Sequence, residues 1–216
     1  MIGWAGICLS KLDWIDRKIL TTDSAEFASE GEKYGLASPF LRPARLSSDT
    51  AGAIDTMVHA LLEAESIYGM QFDIILLIEP TSPFRTPKHI DDAALRLIRS
   101  GSDSVVTVSE LSSKAHPLKV LKVEDKNLVF YDKGGAGVVA RQSLGTLYWR
   151  NGACYALTRK CLLEKKAIFT DNTLPLIIKN HMVNIDEPID LEWAEFLMQR
   201  GSAEISKQEE DDAEQA

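Results

Sequence analysis

Three polar clusters in this chain hold side chains able to bind a polar ligand and act on it. They are Thr21-Thr22-Asp23, Glu79-Pro80-Thr81-Ser82-Pro83-Phe84-Arg85 and Asn184-Ile185-Asp186-Glu187-Pro188-Ile189-Asp190. Together they offer hydroxyls, carboxylates and one guanidinium. Any one of them alone would read as a turn. Each, however, follows a segment patterned as a β-strand, and in open α/β sheets ligands bind beyond the carboxyl ends of the strands. The convergence of three such ends points to an active site.

The elements that must position these clusters alternate along the chain. Ile15–Thr22 predicts a short strand, after which Asp23 and Glu26 have capping-box spacing for a helix that Gly35 stops. A loop with Pro39 and Pro43 leads to an amphipathic helix over 49–67, with Ile54, Met57, Val58, Leu61 and Leu62 on one face. Phe72–Ile78 is a continuous apolar strand, as expected of a sheet covered on both faces. Thr86-Pro87 supplies the cap and first residue of a helix closed by Gly101, with Ile90, Ala93, Ala94, Leu97 and Ile98 inward.

Asp103–Ser109 predicts another strand, and then the alternation changes. Pro117–Asp132 reads as a β-hairpin, and Gly134–Gly137 as part of a flexible inserted lobe. Asn151–Thr158 and His181–Ile185 predict strands, and Pro188 starts a last helix with Ile189, Trp193, Phe196 and Leu197 inward. Strands alternating with helices imply an α/β fold of three layers on a mostly parallel sheet. The small β-rich lobe interrupts it.

The 216 residues suit one domain of about 1–200 that buries roughly 70% of its unfolded surface. Net charge is −8, but 201–216 holds six acids and one lysine, so the body carries only −3. Such a body has no basic field for phosphate backbones, which argues against nucleic acid as the main partner. The acidic tail, without an aromatic residue, reads as a disordered, solvated extension. The longest purely aliphatic run, Ile74–Ile78, is far short of a membrane span.

Cys8, Cys154 and Cys161 are odd in number and lack CxxC or finger spacing. They read as buried thiols in a reducing cytosol. The apolar start, Met1 to Leu9, lacks the basic leader and cleavage site of a signal peptide and reads as part of a core helix.

Eight blocks occur in an order and spacing that resemble the acylneuraminate cytidylyltransferases, enzymes that make CMP-sialic acid and related CMP-nonulosonates. They are Thr22-Asp23, Phe40-Leu41-Arg42-Pro43-Ala44, Ser48-Asp49-Thr50-Ala51, Pro80 to Arg85, His116-Pro117-Leu118-Lys119, Arg141-Gln142, Tyr148 with Arg150-Asn151-Gly152-Ala153 and Tyr155, and Ile185-Asp186 with Asp190. The match spans about Met1 to Met198. The resemblance implies a Rossmann-like nucleotidyltransferase that joins an acidic sugar to the α-phosphate of CTP and expels pyrophosphate. It also implies Mg²⁺, a cation usually held by only one or two protein carboxylates.

By the same resemblance Asp186 is a metal ligand, with Asn184 turning its oxygen to the same site from two residues away. The Asp186 carboxylate would equally suit a helix N-terminus. Lys119 and Arg141 are implied as the cations of the sugar pocket, lined by Glu79, Ser82, Gln142, Asn151 and Tyr155. Lys119 would also serve as an exposed hairpin lysine, and Ser82 as the cap of its own turn. Thr22, Arg42 and Asp49 are implied at the nucleotide, with a loop salt bridge as the other use of Arg42. The lobe, about 111–148, resembles the family's dimerisation lobe and implies a homodimer.

Met1-Ile2-Gly3-Trp4 aligns with the helix that follows the family's first strand and basic phosphate loop. Asn184 stands where the family commonly has Asp, Glu79 where it has Gln, and Gly52-Ala53 where it has two serines. Two expectations follow, an active cytidylyltransferase or an N-terminally truncated or degenerate member that binds sugar nucleotide or pairs with an active relative.

Overall fold

The computed structural model describes residues 1–48, 50–137 and 144–200. The elements in chain order are α1 (Ile2–Leu9), α2 (Ala25–Glu32), α3 (Ala53–Tyr68), β1 (Ile74–Leu77), α4 (Pro87–Ser100) and β2 (Ser104–Glu110). After them come β3 (Leu121–Glu124), β4 (Asn127–Phe130), β5 (Tyr148–Thr158), β6 (Thr173–Ile177) and α5 (188–200). The central sheet has the order β1-β5-β2-β6, and β3 pairs with β4 in a separate hairpin.

Side-chain alternation builds the layers. Val105, Cys154 and Ala156 face one side and pack with Cys8, Leu9 and Leu12 of the α1 region and Ile90, Ala93 and Leu97 of α4. Val106, Val108, Tyr155 and Leu157 face the other and pack with Met57 and Leu61 of α3 and with Cys161 and Leu162. A period of two places neighbours on opposite faces, so both faces must be apolar and both are covered. This is the α/β sandwich of three layers that the alternation implies.

The direction of the strands needs a refinement. β5 runs antiparallel to both β1 and β2, while β6 is parallel to β2. Three of the four strands share one direction, but the ladder is mixed. The chain leaves β2 into the lobe and returns beside it as β5, with Leu111 N donating to Leu147 O at 2.8 Å across the lobe's base. A strand that returns beside its predecessor without a crossover must run antiparallel.

α4 forms as its ends predict. Thr86 accepts from His89 N, His89 Nδ1 accepts from Thr86 N, and Gly101 closes the helix at φ 64°. Elsewhere local signals gave way to tertiary ones. The strand expected over 15–22 is a single parallel bridge, Ile19 to Ala37. α2 is capped by Ser24, whose hydroxyl accepts from Phe27 N, while Asp23 pairs with Arg42.

The last strand is Thr173–Ile177, not 181–185. Pro175 argues against a strand in the sequence, but β6 is an edge paired only with β2, where a missing N–H costs little. On α5 the buried residue is Ala194, whereas Ile189, Trp193 and Phe196 are exposed.

The lobe carries the expected hairpin, turned by Asp125 and Lys126 at positive φ, the two-residue geometry that matches strand twist. The glycine run folds as a 3₁₀ turn, Lys133–Gly137, with Gly135 buried against Leu118 and Phe130. All three cysteines are free and buried. Among the described residues, no helix is long and apolar enough to cross a membrane.

Candidate active site

The site is organised by a defect in β5. Register with β2 shifts between Val106 and Val108, and Gly152 at this bulge takes φ 68°. The Thr107 hydroxyl donates to Cys154 O and accepts from Cys154 N, both at 2.9 Å, which mends the ladder. Asn151 Oδ1 accepts from Ala153 N at 3.2 Å, and its Nδ2 donates to Ser109 at 2.9 Å. A bulge bends its strand and re-aims the backbone. Here it aims the Asn151–Ala153 carbonyls at the turn that follows β1.

That turn, 79–85, is fastened to the bulge by Arg85. Its guanidinium is buried and donates to Ala153 O at 2.8 Å, to Gly152 O at 3.4 Å and to Glu79 O. Burial draws its pKa below the ordinary arginine value. Ser82 donates to Asn151 O. A side chain at Gly152 would collide with the Glu79 carboxylate and lie 2.8 Å from Ser82 Oγ, so glycine is required twice, for space and for φ. Tyr155, one strand turn on, is buried, and burial pushes its hydroxyl up to about 12, with the Glu79 charge adding to the effect.

The third polar cluster is tied to the second. Ile185 N donates to Thr81 O at 2.9 Å, and Thr81 Oγ1 donates to Asn184 Oδ1 at 2.7 Å. Asn184 Nδ2 in turn donates to Asp186 Oδ2 at 2.8 Å. Asp190 Oδ2 accepts from Asp186 N and Glu187 N at 3.0 and 2.9 Å and so caps the first turn of α5. A cleft of about 530 Å³ opens here, with Trp149, Arg150, Asn184, Asp186, Asp190 and Trp193 among its lining. A smaller depression of about 390 Å³ beside Glu32 and 35–39 has one carboxylate and no cation, and so offers nothing to a phosphorylated ligand.

No family model matches the chain. Individual relatives do. A CMP-N,N′-diacetyllegionaminic acid synthase from Legionella pneumophila is 30% identical over 183 residues, covering 84% of this chain and 77% of that protein. The chain belongs to the acylneuraminate cytidylyltransferase family. An N-acylneuraminate cytidylyltransferase from Escherichia coli is 29% identical over 87% of this chain and 43% of its own length. Among solved structures, a CMP:2-keto-3-deoxy-manno-octonic acid synthetase complexed with CTP superposes with a TM-score of 0.65 at 12% identity, covering 93% of this chain and 88% of that one. That likeness confirms the nucleotidyltransferase-like fold.

The residues carried over from the cytidylyltransferases divide into groups. Glu79, Ser82, Asn151, Tyr155, Asn184 and Asp186 are brought to one end of the sheet. Ser82 and Asn151, expected to line a sugar pocket, are instead fully buried and spend their polar atoms on neighbouring protein groups. Tyr155 is also buried, 3% exposed, whereas Asp186 is open to solvent. Asn184 corrects a second expectation. Its oxygen is taken by the Thr81 hydroxyl and its nitrogen faces Asp186, because an amide oxygen set against a carboxylate would repel it.

Thr22 and Arg42 form a second group. Arg42 N donates to Thr22 O at 2.7 Å, its guanidinium reaches Ser47 at 3.1 Å and Asp23 at 3.7 Å, and the buried Thr22 hydroxyl accepts from Ser24 N. Among the described residues, no hydrogen bond or ion pair joins this group to the first. Lys119 is exposed on a 3₁₀ turn of the lobe. Asp49, Arg141, Gln142 and the acidic tail 201–216 lie outside the described residues. Sequence reasoning missed Arg150, Trp149 and Trp193 as cleft residues. Trp193 has core-like helical spacing, and Arg150 was visible only as a motif neighbour of Asn151.

Proposed function

We propose that this chain transfers the cytidylyl group of CTP to the anomeric hydroxyl of an acidic, nonulosonate-type sugar and releases pyrophosphate. The observation that carries the reading is the cleft beside Asp186, which lies at the strand-end position where such folds bind nucleotides, in a chain of this family. The chain's own groups have separable tasks. Arg85 fastens the 79–85 turn to the bulge, Thr81 of that turn and Asn184 orient the Asp186 carboxylate, and Asp190 holds the loop that presents it.

The donor set fits Mg²⁺. Asp186 is an exposed carboxylate with about four acceptor sites, of which Asn184 uses one. Among the described residues, no group of three or more His, Cys, Asp or Glu side chains is placed to hold a metal ion. A divalent cation here would be held by one carboxylate and completed by substrate phosphates. When bound, the ion would neutralise charge on the transferring phosphate. Three buried free thiols fit a reducing cytosol.

The exposed apolar hairpin supports a homodimer through the lobe. Val123, Leu128 and Tyr131 are 72%, 67% and 64% exposed, and an isolated hairpin needs a surface to pack on. Sedimentation at micromolar concentration should give a dimer, and a stable monomer would remove this part of the reading.

The test of function is pyrophosphate release from CTP, an acidic nonulosonate and Mg²⁺. Turnover abolished by Asp186→Asn supports the transferase. The neutral Asn184 in place of a second carboxylate favours the other reading, binding without turnover. Saturable CTP binding with no pyrophosphate release under any condition would select it.

A further inference from the structure

A capping box usually carries Glu or Gln at the third helical residue, reaching back to the amide of the cap. In α4 that residue is His89, and a histidine in this place makes the cap depend on a proton. His89 Nδ1 accepts from Thr86 N at 3.3 Å, while His89 N donates to Thr86 Oγ1 at 3.4 Å. An imidazole that accepts through Nδ1 must be neutral, with its proton on Nε2. The atom that would take a second proton is therefore the one already engaged with the backbone.

The surroundings also disfavour a charge here. His89 is half-buried, and that burial is the largest of the influences drawing its pKa below the ordinary histidine value. Lys88 on the same helix and Arg85 in the preceding turn add their positive charges in the same sense. Asp92, about one helical turn on, acts against them, but its carboxylate is also held by Lys88 Nζ at 2.9 and 3.0 Å. An imidazolium would further sit at the positive end of the helix macrodipole.

Arg85 carries the effect beyond the helix. Its buried guanidinium fastens the 79–85 turn to the bulge, and a second cation nearby makes that burial more costly. The same turn holds Thr81, whose hydroxyl fixes Asn184 beside Asp186. We propose that His89 is a proton-sensitive clasp on this turn. Neutral, it closes the start of α4 against the turn; protonated, it releases the Thr86 amide and loosens the segment that orients Asp186. The clasp belongs to the fold and does not depend on the transferase reading. Folded His89 holds a proton less tightly than the unfolded chain does. The clasp is therefore whole above about pH 6.5, the unfolded value, and is lost as pH falls below it.

The experiment compares thermal melting of the full chain with that of His89→Gln and His89→Ala from about pH 7.5 to 5, above the ordinary carboxylate values. Glutamine can make the same reciprocal bond without titrating. At the neutral end wild type and His89→Gln should melt together, with His89→Ala roughly 2–4 °C lower. At the acid end wild type should drop to the level of His89→Ala or below, leaving His89→Gln above both. Amide exchange across 79–89, measured at that same acid pH, should be faster in wild type than in His89→Gln.

Wild type and His89→Gln losing stability in parallel overturns the proposal, as does His89→Gln melting with His89→Ala at the neutral end. A melting difference without faster exchange across 79–89 overturns the coupling to the turn. The His89 imidazole resonance, assigned by its absence from His89→Gln, should titrate at lower pH than in the urea-unfolded chain. Titration at or above the unfolded value overturns the clasp without reference to any variant's stability.

Discussion

At the junction of the 79–85 turn with β5, Arg85, Ser82 and Asn151 are buried and their polar atoms are spent on neighbouring protein groups. A few residues away, at the cleft, Asp186 and Arg150 carry their charges at the surface. The two regions are linked by Thr81, which belongs to the turn and bonds Asn184. A buried cation is tolerable only when hydrogen-bonded, so the junction is rigid by necessity. The cleft can keep its charges unneutralised because water solvates them until a ligand arrives. One region holds position and the other does the recognition, and substitutions should separate them.

The largest expected effect is at the junction. Arg85→Met removes the guanidinium donor from Ala153 O and one of the donors to Glu79 O and Gly152 O, which keep the Ser82 and Glu79 amides, and should cost about 3–5 kcal/mol, the range for breaking a buried hydrogen-bond network. For a chain of this size that lowers Tm by roughly 6–20 °C. A variant melting with wild type would show that the turn is not held by this guanidinium.

Next comes the cleft, with the opposite signature. Asp186→Asn should reduce pyrophosphate release by about 10²-fold or more while moving stability by less than about 0.5 kcal/mol, because the side chain is exposed. Equal losses of stability and activity would erase the distinction between the regions.

Gly152→Ala should cost about 2 kcal/mol, since the new side chain meets Glu79 and Ser82 and needs a left-handed conformation. Activity lost here should track the folded fraction in a denaturation series.

The smallest effect at neutral pH is Tyr155→Phe, below about 1 kcal/mol. Its signature lies in alkali. The folded pKa of about 12 stands above the ordinary tyrosine value near 10, so Tyr155's contribution is whole below pH ~10 and lost as pH rises towards 12. The phenylalanine variant should show a shallower fall in stability across that window, and identical alkaline profiles would contradict the burial that defines the junction.

How far these regions were legible depended on whether the signal was local. Thr86, Pro87 and Gly101 fix the ends of α4 by their own backbone chemistry, and the structure agrees to the residue. The 181–185 segment failed because apolar content was read as strand, while the actual edge strand was hidden by Pro175. On α5, Ile189, Trp193 and Phe196 have core spacing yet face outward, and Trp193 stacks on Phe196 at 5.4 Å between ring centres. Periodicity records that a face is apolar, not what covers it.

The sequence by itself determined the α/β class, the three layers and the hairpin in the lobe, and of the three polar clusters that it set together at one end of the sheet the structure ties the second to the third. The class, layers and hairpin follow from residue period, cap and turn chemistry, which act within a few residues. Only the tertiary structure decided which members of those clusters face a ligand. Ser82 and Asn151 look as reactive in the sequence as Asp186, but the β5 bulge, closed by Thr107 and Gly152 against a turn some seventy residues away, turns them inward. Arg150, which the sequence offered only as a neighbour in a motif, is set beside Asp186 by that bulge and by the return of the 182–190 segment. Side-chain availability depends on contacts between distant segments, and those exist only once the chain has folded.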